Sequence, residues 1–273
     1  MDPPSAAFNT LRLLFLGDIF GEPGRRAVAE TLPAMKQKLQ IDFTIVNGEN
    51  SAGGRGITPK IAIALFRAGA TVITLGDHAW DQPEIIDHMA IEPRLLRPLN
   101  YPPGAPGQGS IVLDTPKGKV GVLNVQGRVF MNPPLDNPFN AVAAAVDEMR
   151  KETSVIFTDF HAEATSEKMA MGRWLDGRVS AVIGTHTHVQ TADETILPSG
   201  TAYLTDAGMC GPADSIIGSD VDPILRRFST NLPTKNLVAK GAVQIRGVWM
   251  EIDAITGRAL RIERVAQNLT VPA

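Results

Sequence analysis

Three times in its first third, the chain repeats one pattern that limits what it can fold into. A short apolar run is followed directly by an acidic residue among glycines, and then by a helix start. Residues 11–16 lead into Gly17-Asp18-Ile19-Phe20-Gly21, and Pro23 then opens a helix through Ala27, Val28, Leu32 and Met35. Residues 42–46 lead into Asn47-Gly48-Glu49-Asn50, after which Thr58-Pro59 reads as a cap and first-turn proline for a helix up to Ala68. Residues 71–75 lead into Gly76-Asp77-His78-Ala79-Trp80-Asp81, with Asp81 and Pro83 marking a further helix start. Strands that alternate with helices in this way build a parallel, buried sheet. Such sheets keep their active sites at the carboxyl ends of the strands, where Asp18, Glu49 and Asp77 fall. One such acid is explained by helix capping. A series of them is not.

The second half supplies imidazoles at the same kind of place. Residues 110–114 and 119–125 flank Pro116-Lys117-Gly118 as a hairpin, so part of the sheet system is antiparallel. An Asn- and Pro-rich loop over 126–137 has the length of a functional loop or a surface excursion, and a helix follows over 138–151. The strand 154–158 then runs into Asp159-Phe160-His161-Ala162-Glu163. The strand 178–183 runs into Gly184-Thr185-His186-Thr187-His188. In extended backbone, residues two apart face the same side, so His186 and His188 are expected to converge on one place. Hairpins over 194–197/201–204 and 242–252/258–265 complete a mixed sheet system, and 206–212 reads as a glycine-punctuated loop. Residues 1–10 are Pro/Ala-rich and patternless and read as a disordered tail; 11–273 reads as a single domain. His88 is expected in solvent, and Cys210 and Trp80 as packing residues.

Composition narrows the function. Lys plus Arg total 26 against 29 Asp plus Glu, which offers no extended basic surface for nucleic acid or for an anionic membrane. No apolar run spans a bilayer and the first residues lack signal-peptide regions, so a cytoplasmic protein is expected. The single cysteine excludes an intrachain disulfide or a thiolate-rich metal site. The strand-end groups Asp18, Glu49, Asn50, Asp77, His78, His161, His186 and His188 offer only nitrogen and oxygen. That set suits Mn, Fe, Zn or Mg and exceeds what one ion uses. Two ions sharing a carboxylate, about 3.5–4 Å apart, can hold a hydroxide and clamp a phosphoryl centre during in-line displacement. The expected reaction is hydrolysis of a phosphate ester.

These residues resemble the calcineurin-like metallophosphoesterase superfamily and, within it, the YmdB-like family. The resemblance rests on Gly17 to Gly21, Asn47 to Asn50, Gly76 to Asp81, Asp159 to Lys168, Gly184 to Gln190 and Thr205 to Pro212, in order over nearly the whole chain from Leu11. It implies a four-layer α/β/β/α sandwich with two mixed sheets and a cytoplasmic phosphodiesterase, expected as a homo-oligomer since such assemblies are known in the family, acting on small phosphodiesters that include 2',3'- or 3',5'-cyclic nucleotides. It further implies two metal ions, Mn or Fe foremost and Mg or Zn next. By position, Asp18 and His188 would hold one metal and Asp77, His161 and His186 the other, with Glu49 between them. Asn50 would support the first metal or a phosphate oxygen, and His78 would protonate the leaving alkoxide as general acid. Asn50, His78 and the loop carrying Gly208 and Met209 would wall the substrate pocket. One position departs from the family pattern: Asp77 stands where Asn is usual. The added charge should tighten divalent binding, damp Lewis acidity and repel an anionic phosphate. An amidohydrolase also joins His-x-His to two metals, but early in a barrel of eight β/α repeats, which this chain lacks. A non-catalytic metal- or nucleotide-binding regulator of the same fold would carry the same ligands, and turnover separates it from the enzyme.

Overall fold

The structure, a computed structural model, describes residues 10–269. The expected tail lies outside them except for Thr10, which opens the first strand. The repeated pattern of the first third forms as read. Strand β1 (Thr10–Leu16) and the short β2 (Asp18–Ile19) lead to α1 (Gly21–Leu39), β3 (Phe43–Asn47) to α2 (Pro59–Ala68), and β4 (Val72–Thr74) to α3 (Ile85–Met89), before β5 (Leu95–Leu96). Thr58 caps α2, its hydroxyl accepting from Ile61 N at 3.3 Å. Asp81 caps nothing. Helix α3 starts at Ile85 without a side-chain cap, and Asp81 turns to Arg55 and His78.

The hairpin β6 (Ser110–Thr115) and β7 (Gly118–Gln126) comes next, then α4 (Pro138–Met149), β8 (Val155–His161), α5 (Thr165–Leu175), β9 (Ala181–Thr185), β10 (Thr195–Ile196) and β11 (Ala202–Leu204). The chain continues through β12 (Met209–Pro212), α6 (Val221–Thr230), β13 (Val243–Asp253) and β14 (Ala259–Leu269). Three of these differ from the sequence reading, which gave no helix where α5 runs. Part of the expected loop over 206–212 is β12, which pairs in parallel with β2 and sets Met209 beside Asp18. Helix α6 escaped the pattern because only its Ile224 is buried, while Leu225 and Phe228 face outward.

One sheet runs β2-β12-β13-β1-β3-β4-β5, with β14 on β13; the other runs β10-β11-β9-β8-β7-β6. Both are mixed, and helices cover their outer faces. Strand alternation produces the layers. In β1, Leu14 and Leu16 pack outward with Val28 and Leu32 of α1 and Leu65 of α2, while Leu11, Leu13 and Phe15 face the other sheet. In β8, Ile156 and Phe160 pack outward with Val142 and Val146 of α4 and Met171 of α5, while Val155 and Phe157 face inward. Phe15 and Phe157 meet across the gap with ring centroids 4.9 Å apart. The result is the four-layer α/β/β/α sandwich.

Parallel register sets the height of the strand ends. Leu16, Val46 and Ile73 share one row in the first sheet, and Gln126, His161 and Thr185 one row in the second. The segments carrying Asp18, Glu49 and Asp77 therefore leave one sheet at the edge where His161, His186 and His188 leave the other.

Candidate active site

Towards this edge, the inward-facing rows of four strands change from hydrocarbon to polar. In β3 the row runs Phe43, Ile45, Asn47; in β4 Val72, Thr74; in β8 Val155, Phe157, Asp159, His161; in β9 Ala181, Ile183, Thr185. The polar ends meet on Asp159. Its Oδ2 accepts from Asn47 Nδ2 at 3.0 Å and Thr74 Oγ1 at 2.6 Å, and its Oδ1 from Thr185 Oγ1 at 2.6 Å. Burial pushes the Asp159 carboxyl up to about 6, against the charge of His161 and these hydroxyl donors. Because Thr185 gives its proton to Asp159, it accepts from His161 Nδ1 at 2.9 Å and leaves Nε2 facing the carboxylates.

Two clusters of ligating atoms form there. Glu49, Asp77, His161 and His186 each offer one atom to a group whose members lie within 4.8 Å of one another, and Asp18, Glu49 and His188 form a second such group. Glu49 belongs to both. In the first, His161 Nε2 is 3.0 Å from Asp77 Oδ1, 3.2 Å from Glu49 Oε2 and 3.0 Å from His186 Nδ1. In the second, Asn50 Nδ2 lies 2.7 Å from Glu49 Oε1 and 3.1 Å from His188 Nε2. His188 Nδ1 donates to Ile217 O at 2.9 Å, which turns its Nε2 lone pair toward this cluster.

The expectation of extended backbone over the His-Thr-His stretch needs correction, while the division of its two imidazoles is the one that the family resemblance implies. The strand ends at Thr185, and both imidazoles sit on left-handed backbone, His186 at φ 97° and His188 at φ 65°. Instead of converging, they divide between adjacent clusters. Non-glycine residues held there cost about 1–3 kcal/mol each, so the surroundings must enforce the turn. His186 N donates to Asp18 Oδ2 at 3.2 Å, and His186 Nε2 lies 3.3 Å from Glu163 Oε2.

The electrostatics show what the clusters accommodate. Burial raises the Asp18 carboxyl, with His188 and His161 opposing. Burial also works against charge on Glu49 and Asp77, but His161 for the former, and hydrogen bonds from His161 and His186 for the latter, bring both below the ordinary carboxylate value. Burial disfavours charge on His161 too, yet Glu49, Asp77 and Asp18 raise it well above ordinary imidazole. A proton on His161 thus supplies positive charge that a cation would otherwise bring. Asp18 Oδ1 is buried without a hydrogen-bond partner among the described residues, and Glu49 Oε2 meets only the His161 ring, at 3.2 Å and shared with Asp77. Backbone makes room as well: a Cβ on Gly76 would overlap Glu49 Oε2 and His161 Nε2. An oxygen and nitrogen donor set, an orphaned carboxylate oxygen and excess negative charge together fit divalent metal ions.

Beside the clusters lies a cleft of about 670 Å³, lined by Glu49, Asn50, His78, His186 and His188 together with Phe20, Arg55, Ile217, Asn236 and Leu237. His78 is held by Asp81, whose Oδ2 lies 3.2 Å from its Nδ1 and also accepts from Arg55 Nε at 2.7 Å. Gly208 and Met209, expected in the pocket wall, do not line it. They stand behind it: Gly208 O accepts from Asp18 N at 3.1 Å, and buried Met209 runs beside Asp18. Cys210 is fully buried, its thiol pushed up to about 12 by burial, and gives its proton to Arg246 O at 3.3 Å, as a packing residue would. Trp80 packs edge-on against Tyr101 outside the cleft, and His88 is half-buried rather than solvated.

A family model described as YmdB-like protein matches residues 14–265. The chain belongs to the YmdB-like family. It is 51% identical over 258 residues to a 2',3'-cyclic-nucleotide 2'-phosphodiesterase of Bacillus subtilis, covering 94% of this chain and 97% of the relative. Among solved structures, a novel phosphatase from Mycoplasma pneumoniae superposes with a TM-score of 0.92 at 35% identity, covering 97% of this chain and 96% of that one. A hypothetical protein from Thermus thermophilus gives 0.89 at 42% identity, covering 94% and 99%.

The sequence reading of this YmdB-like chain assigned no role in the site to Asp159, Asn47, Thr74, Thr185 or Asp81. Asp159 had a signal: counting by twos from Val155 puts it on the face of His161. Asp81 was absorbed by a capping pattern. Gly76 yields a direct test. Gly76→Ala should destabilise the metal-free protein by about 1–3 kcal/mol through overpacking. Chemical denaturation in the presence of a chelator measures this, and an unchanged midpoint would contradict the close approach.

Proposed function

We propose that this chain is a metal-dependent phosphodiesterase that hydrolyses cyclic nucleotides, with a 2',3'- or 3',5'-cyclic phosphate as the reacting group. The observation that carries the reading is the pair of clusters sharing Glu49 at the wall of a cleft that also holds His78. Asp18, His188 and Asn50 would hold one ion, Asp77, His161 and His186 a second, and Glu49 would lie between them, with Mn or Fe the metals best suited to this mixed donor set. Ions so held supply Lewis-acid charge for the phosphoryl oxygens and an activated water. The name of the Bacillus subtilis relative supports the cyclic nucleotide, and a cleft of about 670 Å³ has the size of a small-molecule site.

The chain's own residues divide the remaining work. A water oxygen adds to phosphorus while the bond to the ribose 2'- or 3'-oxygen breaks, and that oxygen needs a proton as it leaves. His78 would supply one from Nε2, and Asp81, 3.2 Å from its Nδ1, orients the ring. Arg55 fixes Asp81 and keeps a largely exposed guanidinium in the cleft wall, where an anionic substrate gains from positive charge. Asp77 adds negative charge beside the reacting phosphate. Among the described residues, no helix is long and apolar enough to cross a membrane. The cytoplasm and a homo-oligomer are the setting that the family resemblance supports.

The reading is tested by elemental analysis of the purified chain together with a panel of cyclic and linear phosphodiesters assayed with Mn, Fe and Mg. About two ions per chain and metal-dependent turnover of cyclic nucleotides are expected; metal binding without turnover of any ester would favour the regulatory alternative. His78→Ala should keep its metals and lose about 10²–10⁴-fold in kcat on a nucleotide. The defect should shrink on a p-nitrophenyl ester, whose leaving group needs little protonation, and an equal defect on both esters removes the general-acid role. Asp77→Asn should weaken metal affinity yet raise kcat/KM for an anionic diester roughly fivefold or more, because like charges about 4 Å apart repel by at least about 1 kcal/mol. Asp18→Asn is the control that should cost both metal and turnover. If the two variants behave alike, the charge at Asp77 is required by the site.

A further inference from the structure

Beneath the His186–Thr187–His188 turn lies a buried ion pair that the proposed chemistry does not use. Lys168 and Asp206 are each 1% exposed, and Lys168 Nζ lies 2.7 Å from Asp206 Oδ2. The lysine also donates to Thr185 O at 2.7 Å, the last residue of β9. Asp206 Oδ2 accepts from Thr187 N at 3.2 Å and from Thr187 Oγ1 at 2.7 Å, and its Oδ1 accepts from Gly208 N at 2.8 Å. Every one of these contacts falls on the turn, on the strand end before it, or on the glycine whose carbonyl accepts from Asp18 N.

Burying two charges is costly, and packing alone would be served as well by two apolar side chains of similar volume. The contacts indicate what the charges accomplish. Extended backbone at this stretch would put both imidazoles on one side. Left-handed φ at His186 and His188 sends them to different clusters, and Thr187, between them, is the residue that Asp206 grips through both its N–H and its hydroxyl. We propose that Asp206, anchored by Lys168, is a positioning residue that holds Thr187 and thereby splits His186 and His188 between two neighbouring ion positions. The inference rests on the reading of the clusters as metal sites.

The test uses the full chain, stripped of metal and titrated with Mn2+ by calorimetry, with the thermal melt of the metal-free protein recorded alongside. Thr187 is partly exposed, so its variants leave the buried ion pair in place. Thr187→Val keeps the shape and removes the hydroxyl, and should weaken Mn2+ binding about 10–100-fold, the usual effect of losing a group that orients a metal ligand. Thr187→Ser restores the hydroxyl and should bind as the wild type does. A Thr187→Val chain that binds Mn2+ with wild-type affinity overturns the inference, and so does one whose only change is a lower melting temperature. A wild-type chain that takes up no ion overturns the metal reading and this inference together, whereas uptake by wild type and Thr187→Val alike overturns this inference alone.

Discussion

A carboxylate buried between two sheets holds this end of the molecule together. Asp159 is fully buried, so its stability depends on donors from three other strands, Asn47, Thr74 and Thr185. Those donors arrive only because parallel register levels the strand ends and alternation turns the same face of each strand inward. The apolar part of the interface, with Phe15 against Phe157, fixes how far apart the sheets stand. The polar part fixes how they align along the strands. His161 inherits that alignment through Thr185, and Glu49 and Asp77 follow from the first sheet.

Outward from Asp159, the side chains of the two clusters are held by backbone as much as by other side chains. Ile217 O sets the tautomer of His188, Gly208 O takes the amide proton of Asp18, and the His186 amide reaches the Asp18 carboxylate. Such contacts need close approaches, and glycine stands where they occur. Gly17, for example, lies so close to Gly208 that a Cβ would overlap its carbonyl oxygen.

Much of this was legible in the sequence. The strand, acid and helix order of the first third gave the sheet and the height of Asp18, Glu49 and Asp77, because apolar runs and glycine-flanked acids are local signals. His161 and the His-Thr-His stretch were visible as imidazoles where a strand stops. Other features were hidden because their causes lie far away in sequence. Left-handed φ at His186 and His188 depends on residues such as Ile217 and Asp206, which no pattern around position 187 reveals. Gly208 and Met209 are near the site in the chain yet behind it in space, since β12 pairs alongside β2 instead of looping over the cleft. Helix α6 buries Ile224 alone and carries Leu225 and Phe228 where the fold leaves them open.

The sharing of Glu49 has a thermodynamic consequence. A carboxylate that faces two cation positions cannot present its full charge to both, and a cation at one draws on the field available to the other. His161, within reach of Asp18 as well as Asp77, transmits the same bias. Two cations held as proposed would therefore titrate as a linked system, in which filling one position changes the affinity of the other and is changed by it to the same degree. Occupancy measured at a single cation concentration reports on that linkage as much as on either position alone.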